Sequence, residues 1–336
     1  MKKSILFILT ICTILTVSSC YTPLEQKSFV INKFEVNTHN FNAAQPDISN
    51  GNLVWAGGNN RVSSSIYLLD KVFLYDLDTK QITTLFHTQF NGQTDETQIN
   101  SKWVCWTDWN GEKGAVWKIY AYSLERKKLY KIASGQSDLK PDQNTLPRLT
   151  LSSNDYLAWF QTSNADEILQ RSLKLYNIET REERDIALVK SPKAMPNISR
   201  KYLVWSEDKT IFVYSLSKEK VIEKIITDQL AMFPKVNDEY VIWNEVGVYP
   251  LLKMKRIGEK KKTDIFTGSV FFFDIGTDYI VWQSKPNGSI FAYSISRNST
   301  ETITSSGLLP YIRGNNLIWE TKGKDNKVIF HVAKLF

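Results

Sequence analysis

Three short runs within residues 46–77 decide the fold: Pro46-Asp47-Ile48, then Leu53-Val54-Trp55, then Tyr75-Asp76-Leu77. The middle run is an aliphatic residue, a variable apolar residue and Trp, and it recurs at intervals of 37 to 53 residues. Its copies end at Trp55, Trp106, Trp159, Trp205, Trp243, Trp282 and Trp319. Self-similarity with a period near 40 residues is typical of solenoids, propellers and related arrays.

The two flanking runs recur together with the Trp. Nine residues before it there is usually Pro, with an aliphatic residue two positions later, as at Pro46, Pro196, Pro234 and Pro310. After it come an aromatic residue, a polar residue and Leu or Ile, as at Tyr122, Tyr176, Tyr214 and Tyr293. Apolar and polar residues alternate between turn residues, which predicts four short strands per unit. Four strands in roughly 40 residues is the pattern of one propeller blade.

Seven units predict an all-β protein, a seven-bladed β-propeller with four-stranded blades, over residues 28–336. We expect the periodic Trp rings to fill the space between blades rather than to form a ligand cage. The chain after Trp319 has room for one strand and a tail, so the last blade lacks an outer strand. Residues 28–36 are apolar-rich and are predicted to supply it, which closes the ring and removes an exposed edge.

The first twenty residues have the pattern of a bacterial lipoprotein leader. Lys2 and Lys3 precede an apolar run from Ile5 to Val17, and Val17-Ser18-Ser19-Cys20 resembles a lipobox. We therefore predict a signal peptide at 1–19, lipid on Cys20 and a short tether at 20–27, anchoring the protein extracytoplasmically to the cell membrane or outer membrane. An ordinary cleaved signal peptide is the alternative. A spanning helix is disfavoured, because the apolar run is shorter than the roughly 18 residues that crossing requires.

Composition excludes few classes of protein. The net charge of +7 is spread along the chain, and the densest basic run, around 253–262, reads as a solvated hairpin or as a polyanion patch. We expect no nucleic-acid partner. Cys105 is the one cysteine beyond Cys20 and reads as a small buried hydrophobe. Three histidines without ligand spacing and no phosphate-binding glycine loop predict neither a metal nor a cofactor.

The chain resembles the TolB-like β-propellers of bacterial envelope proteins. The resemblance lies in the Pro-x-Ile-Ser, Leu-Val-Trp and Tyr-x-Leu runs, best seen at 46–77 and 196–216, and covers about residues 40–336. It implies the architecture. The chain departs from TolB itself, because it has no N-terminal α/β domain and lacks the Ser-Pro-Asp-Gly turn. Neither a partner nor a functional residue is carried over.

Long loops point to a candidate binding face. The extra residues of the first three units lie in 56–71, 107–117 and 160–172, and all are predicted on one face of adjacent blades. Long loops on a rigid scaffold are where binding residues concentrate. The candidate binding residues are Arg61, Tyr67, Trp109, Trp117, Asp138 and Lys140. For Trp117 the alternative is that it begins a strand and packs internally, whereas Trp109 is expected to be exposed.

Two functions fit these patterns. The first is a non-catalytic binding or interaction scaffold at the cell envelope, with a protein or polymer partner. The second is an envelope glycan or peptide hydrolase or lyase. It would use carboxylates at the channel mouth, for which Asp47, Asp95 and Asp274 are placed near the starts of inner strands. These carboxylates also fit a structural role as turn caps.

Overall fold

The computed structural model describes residues 30–60, 68–88, 92–110, 116–136, 146–163, 170–190, 196–248, 250–284 and 288–336. Seven four-stranded antiparallel sheets lie within these residues, and the seven-bladed propeller is confirmed. No helix in these ranges is long and apolar enough to cross a membrane.

The first four blades follow one another along the chain. Blade one contains β2 (Asn42–Ser49), β3 (Asn52–Gly58), β4 (Lys71–Asp76) and β5 (Ile82–His87). Blade two contains β6 (Gly92–Ile99), β7 (Trp103–Asn110), β8 (Val116–Ser123) and β9 (Lys128–Gln136). Blade three contains β10 (Leu149–Leu151), β11 (Tyr156–Ser163), β12 (Gln170–Asn177) and β13 (Glu182–Val189). Blade four contains β14 (Asn197–Ile198), β15 (Tyr202–Glu207), β16 (Thr210–Ser215) and β17 (Lys220–Ile226).

The last three blades complete the ring. Blade five contains β18 (Leu230–Val236), β19 (Tyr240–Val246), β20 (Leu251–Arg256) and β21 (Lys262–Thr267). Blade six contains β22 (Val270–Ile275), β23 (Tyr279–Ser284), β24 (Ile290–Ser294) and β25 (Ser299–Thr304). Blade seven contains β26 (Leu308–Arg313), β27 (Asn316–Lys322) and β28 (Val328–Leu335), and its fourth strand is β1 (Val30–Asn37).

The signature Trp residues are core residues, as expected. Each is on the second strand of its blade, and none is more than 2% exposed. Each packs against apolar residues of the preceding blade. Trp205 of blade four contacts the cluster around Leu173 of blade three, and Trp55 of blade one lies 5.8 Å from the ring of Phe330 in blade seven. The Trp recurs once per blade because a large flat side chain fills each interface between blades.

Strand β1 lies at the outer edge of blade seven, antiparallel to β28, with Val30 opposite Leu335 and Asn37 opposite Ile329. Its Val36 is buried in the cluster that joins blade seven to blade one. That this pairing holds the ring closed stays a prediction, and variants of the strand test it.

Two faces follow from the antiparallel order of each blade. The connections between second and third strands, and those between blades, lie on one face, which we call the loop face. The turns between first and second strands, and between third and fourth strands, lie on the opposite turn face. Each inner strand therefore begins at the loop face and ends at the turn face.

Candidate functional site

The inner strands surround a central channel with a cavity of about 160 Å³. The residue after each Pro of the repeat, or its equivalent, lines it in every blade. This middle tier consists of Asp47, Gln98, Thr150, Asn197, Lys235, Asp274 and Tyr311. The Pro-x-aliphatic run thus serves two purposes, since its aliphatic residue is buried between blades and its middle residue faces the channel.

Four middle-tier side chains also join neighbouring blades. The backbone N–H of Ile99 donates to Asp47 Oδ2 at 2.9 Å, and that of Ile312 donates to Asp274 Oδ2 at 3.1 Å. Gln98 and Asn197 accept in the same way, from the N–H of Leu151 and of Val236. Two of the three carboxylates singled out in the sequence therefore serve as structural acceptors.

One ion pair joins the two ends of the propeller. Arg313 of blade seven donates from Nε and from a terminal nitrogen to Asp47 of blade one, at 3.1 and 2.8 Å. Two parallel hydrogen bonds make this the strongest kind of guanidinium–carboxylate contact. Between the adjacent blades five and six, Lys235 Nζ lies 4.0 Å from Asp274 Oδ1.

The upper tier, two residues before the middle tier, is shaped by β-bulges. The register shifts there in blades one, two, five and seven. The bulged residues have positive φ: Gln45 at 52°, Glu96 at 53°, Phe233 at 52° and Leu309 at 49°. Such angles are unusual for non-glycine residues and are most unusual for a bulky one such as Phe. Bulges redirect side chains and occur often beside functional sites.

The upper tier is polar on one side and apolar on the other. Gln45, Glu96 and Arg148 of blades one to three line the cavity, and so does Phe272 of blade six. Blades five and seven carry Phe233 and Leu309 at the equivalent positions. The loop-face end of the channel, which we call the channel mouth, is therefore amphipathic.

Two adjacent carboxylates on β6 have perturbed acidity. Burial, and then the charge of Asp95, raise the pKa of Glu96 to about 7, although Arg148 at 3.5 Å opposes the shift. Burial also raises the pKa of Asp95. The backbone N–H of Glu96 donates to Gln45 Oε1 at 2.5 Å, which fixes the bulge against blade one. A carboxyl that titrates near neutrality can donate or accept a proton at physiological pH.

The structure describes two of the predicted binding residues. Trp117 is only 4% exposed and packs beside Gly135 in the apolar cluster between blades two and three, so the internal-packing alternative is the one observed. Trp109 is half-buried against the same cluster and its Nε1 is buried, so the expectation of an exposed ring is wrong. The cause is the pairing of β7 with β8, which sets these two residues opposite each other. Arg61, Tyr67, Asp138, Lys140 and Cys20 lie outside the described residues.

Sequence reasoning missed Glu96, Phe272 and Tyr311 as channel residues. The signal that finds Tyr311 is its place between Pro310 and Ile312 in the repeat. The signal that finds Glu96 is its place two residues before Gln98, the residue equivalent to Asp47 in the repeat, because alternate residues of a strand share a face.

Other candidate chemistry is absent from the described part of the chain. Burial, and then the charge of Asp155, raise the pKa of the Cys105 thiol, which keeps it protonated and unreactive. No group of three or more His, Cys, Asp or Glu in the described ranges could hold a metal ion. In the basic run, Lys253 and Lys255 are buried, and both of them and Arg256 pair with acidic neighbours, which argues against a polyanion patch at these three residues.

The fold and the channel define the class of protein: a seven-bladed β-propeller with a polar channel. No family model matches the chain, and no curated protein matches it in sequence. An oligogalacturonate lyase in complex with manganese is 8% identical, with a TM-score of 0.59 over 85% of this chain and 86% of that chain. A chain of the mitotic checkpoint complex is 9% identical, with a TM-score of 0.58 over 100% of this chain and 99% of that chain. TolB from Acinetobacter baumannii is 12% identical, with a TM-score of 0.46 over 79% of this chain and 76% of that chain. At these identities the likenesses show the fold alone.

Proposed function

We propose that this protein is a membrane-anchored extracytoplasmic lipoprotein whose propeller binds an envelope protein through its loop face and has no catalytic role. The lipobox-like run that ends at Cys20 supports the anchor. The middle-tier carboxylates Asp47 and Asp274 support a scaffold, because their oxygens accept hydrogen bonds from neighbouring blades. Carboxylates that already hold neighbouring blades together suit a binding scaffold better than a catalytic site.

One surface observation carries the proposal. Val246, Val248, Phe271 and Leu308 are between 40% and 86% exposed. Val246, Phe271 and Leu308 lie at the loop-face ends of strands in blades five to seven, and Val248 lies in the loop that follows β19. We call these four residues the apolar crescent. Clustered exposed apolar residues on one side of a monomer are typical of protein interaction sites. The sequence places the long loops of blades one to three on the same face.

Val248→Asp tests the crescent, and Val221→Asp is its matched control. Val221 is also exposed, but it is the second residue of β17, at the turn face. We expect crosslinking of the intact protein in its own envelope to yield an adduct that Val248→Asp reduces at least tenfold and the control leaves unchanged. Equal adducts from both variants contradict the proposal.

The anchor has a separate test. Labelled palmitate should enter the wild-type protein and not Cys20→Ser, which should then leave the membrane fraction. Incorporation of label into Cys20→Ser contradicts lipidation at this residue.

A second candidate is an envelope glycan or peptide hydrolase or lyase. The observation that favours it is Glu96, whose pKa near 7 fits a general acid or base beside Asp95. Incubation of the purified protein with envelope glycans and peptides should then give products that Glu96→Gln abolishes. Turnover by the wild type that Glu96→Gln removes favours this candidate over the scaffold, and the absence of turnover eliminates it.

A further inference from the structure

Two buried aspartates lie between blades one and two, at the loop face. Asp70 directly precedes β4 and is 2% exposed, and Asp108 lies near the end of β7 and is 1% exposed. Asp108 follows Trp106 by two residues, so it faces the same side of β7, toward blade one. Thr88 connects the two aspartates, because its N–H donates to the backbone carbonyl of Asp70 at 2.9 Å and its hydroxyl donates to Asp108 Oδ1 at 2.5 Å.

Each of these carboxylates has one oxygen without a partner. Asp70 Oδ2 accepts from Asn60 Nδ2 at 2.6 Å, whereas Asp70 Oδ1 and Asp108 Oδ2 are buried and have no hydrogen-bond donor among the described residues. In the same ranges no Lys or Arg forms a salt bridge with either carboxylate, and His87 Nε2 lies 3.2 Å from Asp70 Oδ2. A buried anionic oxygen without a partner costs free energy, which a bound cation removes.

Gly58 leaves open the space beside Asp70. A Cβ on Gly58 would lie only 2.4 Å from Asp70 Oδ1 and 2.1 Å from the carbonyl oxygen of Leu68. Gly58 follows Val54 by four residues on β3, so it faces the same interface with blade two. Two oxygens, one of them anionic, therefore converge on a point that only a glycine leaves free.

We propose that this pocket between blades one and two binds a calcium ion. Asp70 Oδ1, the carbonyl oxygen of Leu68 and Asp108 Oδ2 are its protein ligands, and water completes the coordination. Ca²⁺ takes carboxylate and backbone carbonyl oxygens in a flexible geometry, whereas Mg²⁺ demands a strict octahedron and retains its waters. The two aspartates balance the charge of the ion, and the charge of Lys118, opposite Asp108 on β8, offsets part of theirs.

The ion would join the connection before β4 in blade one to the end of β7 in blade two. This contact lies on blades one and two, whereas the apolar crescent lies on blades five to seven. The inference therefore does not rest on the proposed partner, and its test can fail while that of the crescent succeeds.

Calorimetry with calcium chloride and with magnesium chloride, on the full chain freed of metal with EDTA, tests the site. We expect a dissociation constant of about 1 mM or tighter for calcium and binding of magnesium weaker by about tenfold or more. Asp70→Asn and Asp108→Asn keep the shape of the side chain and remove its charge, so each should weaken calcium binding by about tenfold or more. Asp78→Asn, on an exposed turn of blade one, is the matched control and should bind as the wild type does.

Thermal unfolding separates the loss of a ligand from the loss of the fold. Calcium should raise the Tm of the wild type and of Asp78→Asn, and it should leave the Tm of Asp70→Asn unchanged. In EDTA, Asp70→Asn should be at least as stable as the wild type, because its amide donates a hydrogen bond to the Leu68 carbonyl that the carboxylate does not supply.

Three outcomes overturn the inference. The first is no binding of calcium at millimolar concentration, which would mean that a proton on Asp70 fills the role of the ion. The second is an unchanged dissociation constant in both Asp70→Asn and Asp108→Asn. The third is magnesium binding as tight as that of calcium, which would exclude a calcium site.

Discussion

Asp47 shows how one residue can line a channel and join blades at the same time. Its oxygens accept N–H groups from Ile48 and from Ile99 of the next blade, and they pair with Arg313 of the last blade. Three blades therefore meet at a single carboxylate. An Asp after Pro in a repeat unit predicts a turn cap equally well, and the ring geometry decides between the roles.

We expect Asp47→Ala to lower the free energy of unfolding by about 2 kcal/mol, because it leaves Arg313 and the N–H of Ile99 unpaired. Urea denaturation measures the change. Asp78→Ala, on an exposed turn, should stay within about 0.5 kcal/mol of the wild type. Equal losses of unfolding free energy in the two variants would show that the contacts of Asp47 with Arg313 and Ile99 contribute nothing specific to stability.

Glu96 gives a second prediction at this scale, because its proton is bound more tightly in the folded chain than its ordinary pKa of 4.5 implies. Its contribution to stability is therefore fully present below pH 4.5 and is lost as the pH rises through about 7. Between pH 5 and 8 the wild type should lose on the order of 1 kcal/mol more stability than Glu96→Gln. Parallel stability profiles for the two proteins contradict a raised pKa.

At the scale of the strand, the bulges decide what the channel contains. Glu96, in the bulge of β6, lines the cavity together with Gln98 two residues later. The sequence places Asp95 and Glu96 equally near the start of an inner strand, and it does not show which of them faces the channel, because the register at a bulge depends on the partner strand and on contacts such as that with Gln45. The Trp spacing, by contrast, predicted every blade, because each signature Trp fills the interface between its own blade and the preceding one.

Strand β1 offers a matched pair of variants that test its role in ring closure. Val36 is 3% exposed and Phe34 is 39% exposed on the same strand. We expect Val36→Asp to lower the free energy of unfolding by about 3 kcal/mol and Phe34→Asp by less than about 1 kcal/mol. Chemical denaturation of each variant gives the comparison. If Val36→Asp is as stable as the wild type, the docking of β1 contributes nothing to the closed ring.

At the scale of the whole molecule, stability is shared among the blade interfaces. Each blade interface has its own core cluster with one signature Trp. Because the blades form a ring, a substitution that destabilises one interface should lower the stability of the whole propeller. The composition and the repeat predicted this division. They did not predict that Trp117 belongs to the cluster between blades two and three, because its register against Trp109 depends on the pairing of β7 and β8.

We expect Trp319→Ala to cost about 3–5 kcal/mol, since it empties the interface between blades six and seven. Trp109→Ala, which removes a half-buried ring, should cost less. Thermal unfolding followed by circular dichroism and by intrinsic fluorescence should give one coincident transition for Trp319→Ala, at a lower Tm. Separate transitions would show that the blades unfold independently.

The position of β1 determines which part of the ring would lie nearest to a lipid anchor on Cys20. The strand starts at the turn face, where Val30 pairs with Leu335, and runs outward to the loop face. Ten residues from Cys20 to Val30 span at most about 35 Å even when fully extended. With lipid on Cys20, the rim of blade seven, where β1 begins, would lie within that distance of the head groups. A tether of this length is longer than the eight-residue strand β1 itself, so the ring could turn on its anchor and offer its loop face to partners in the membrane or in solution.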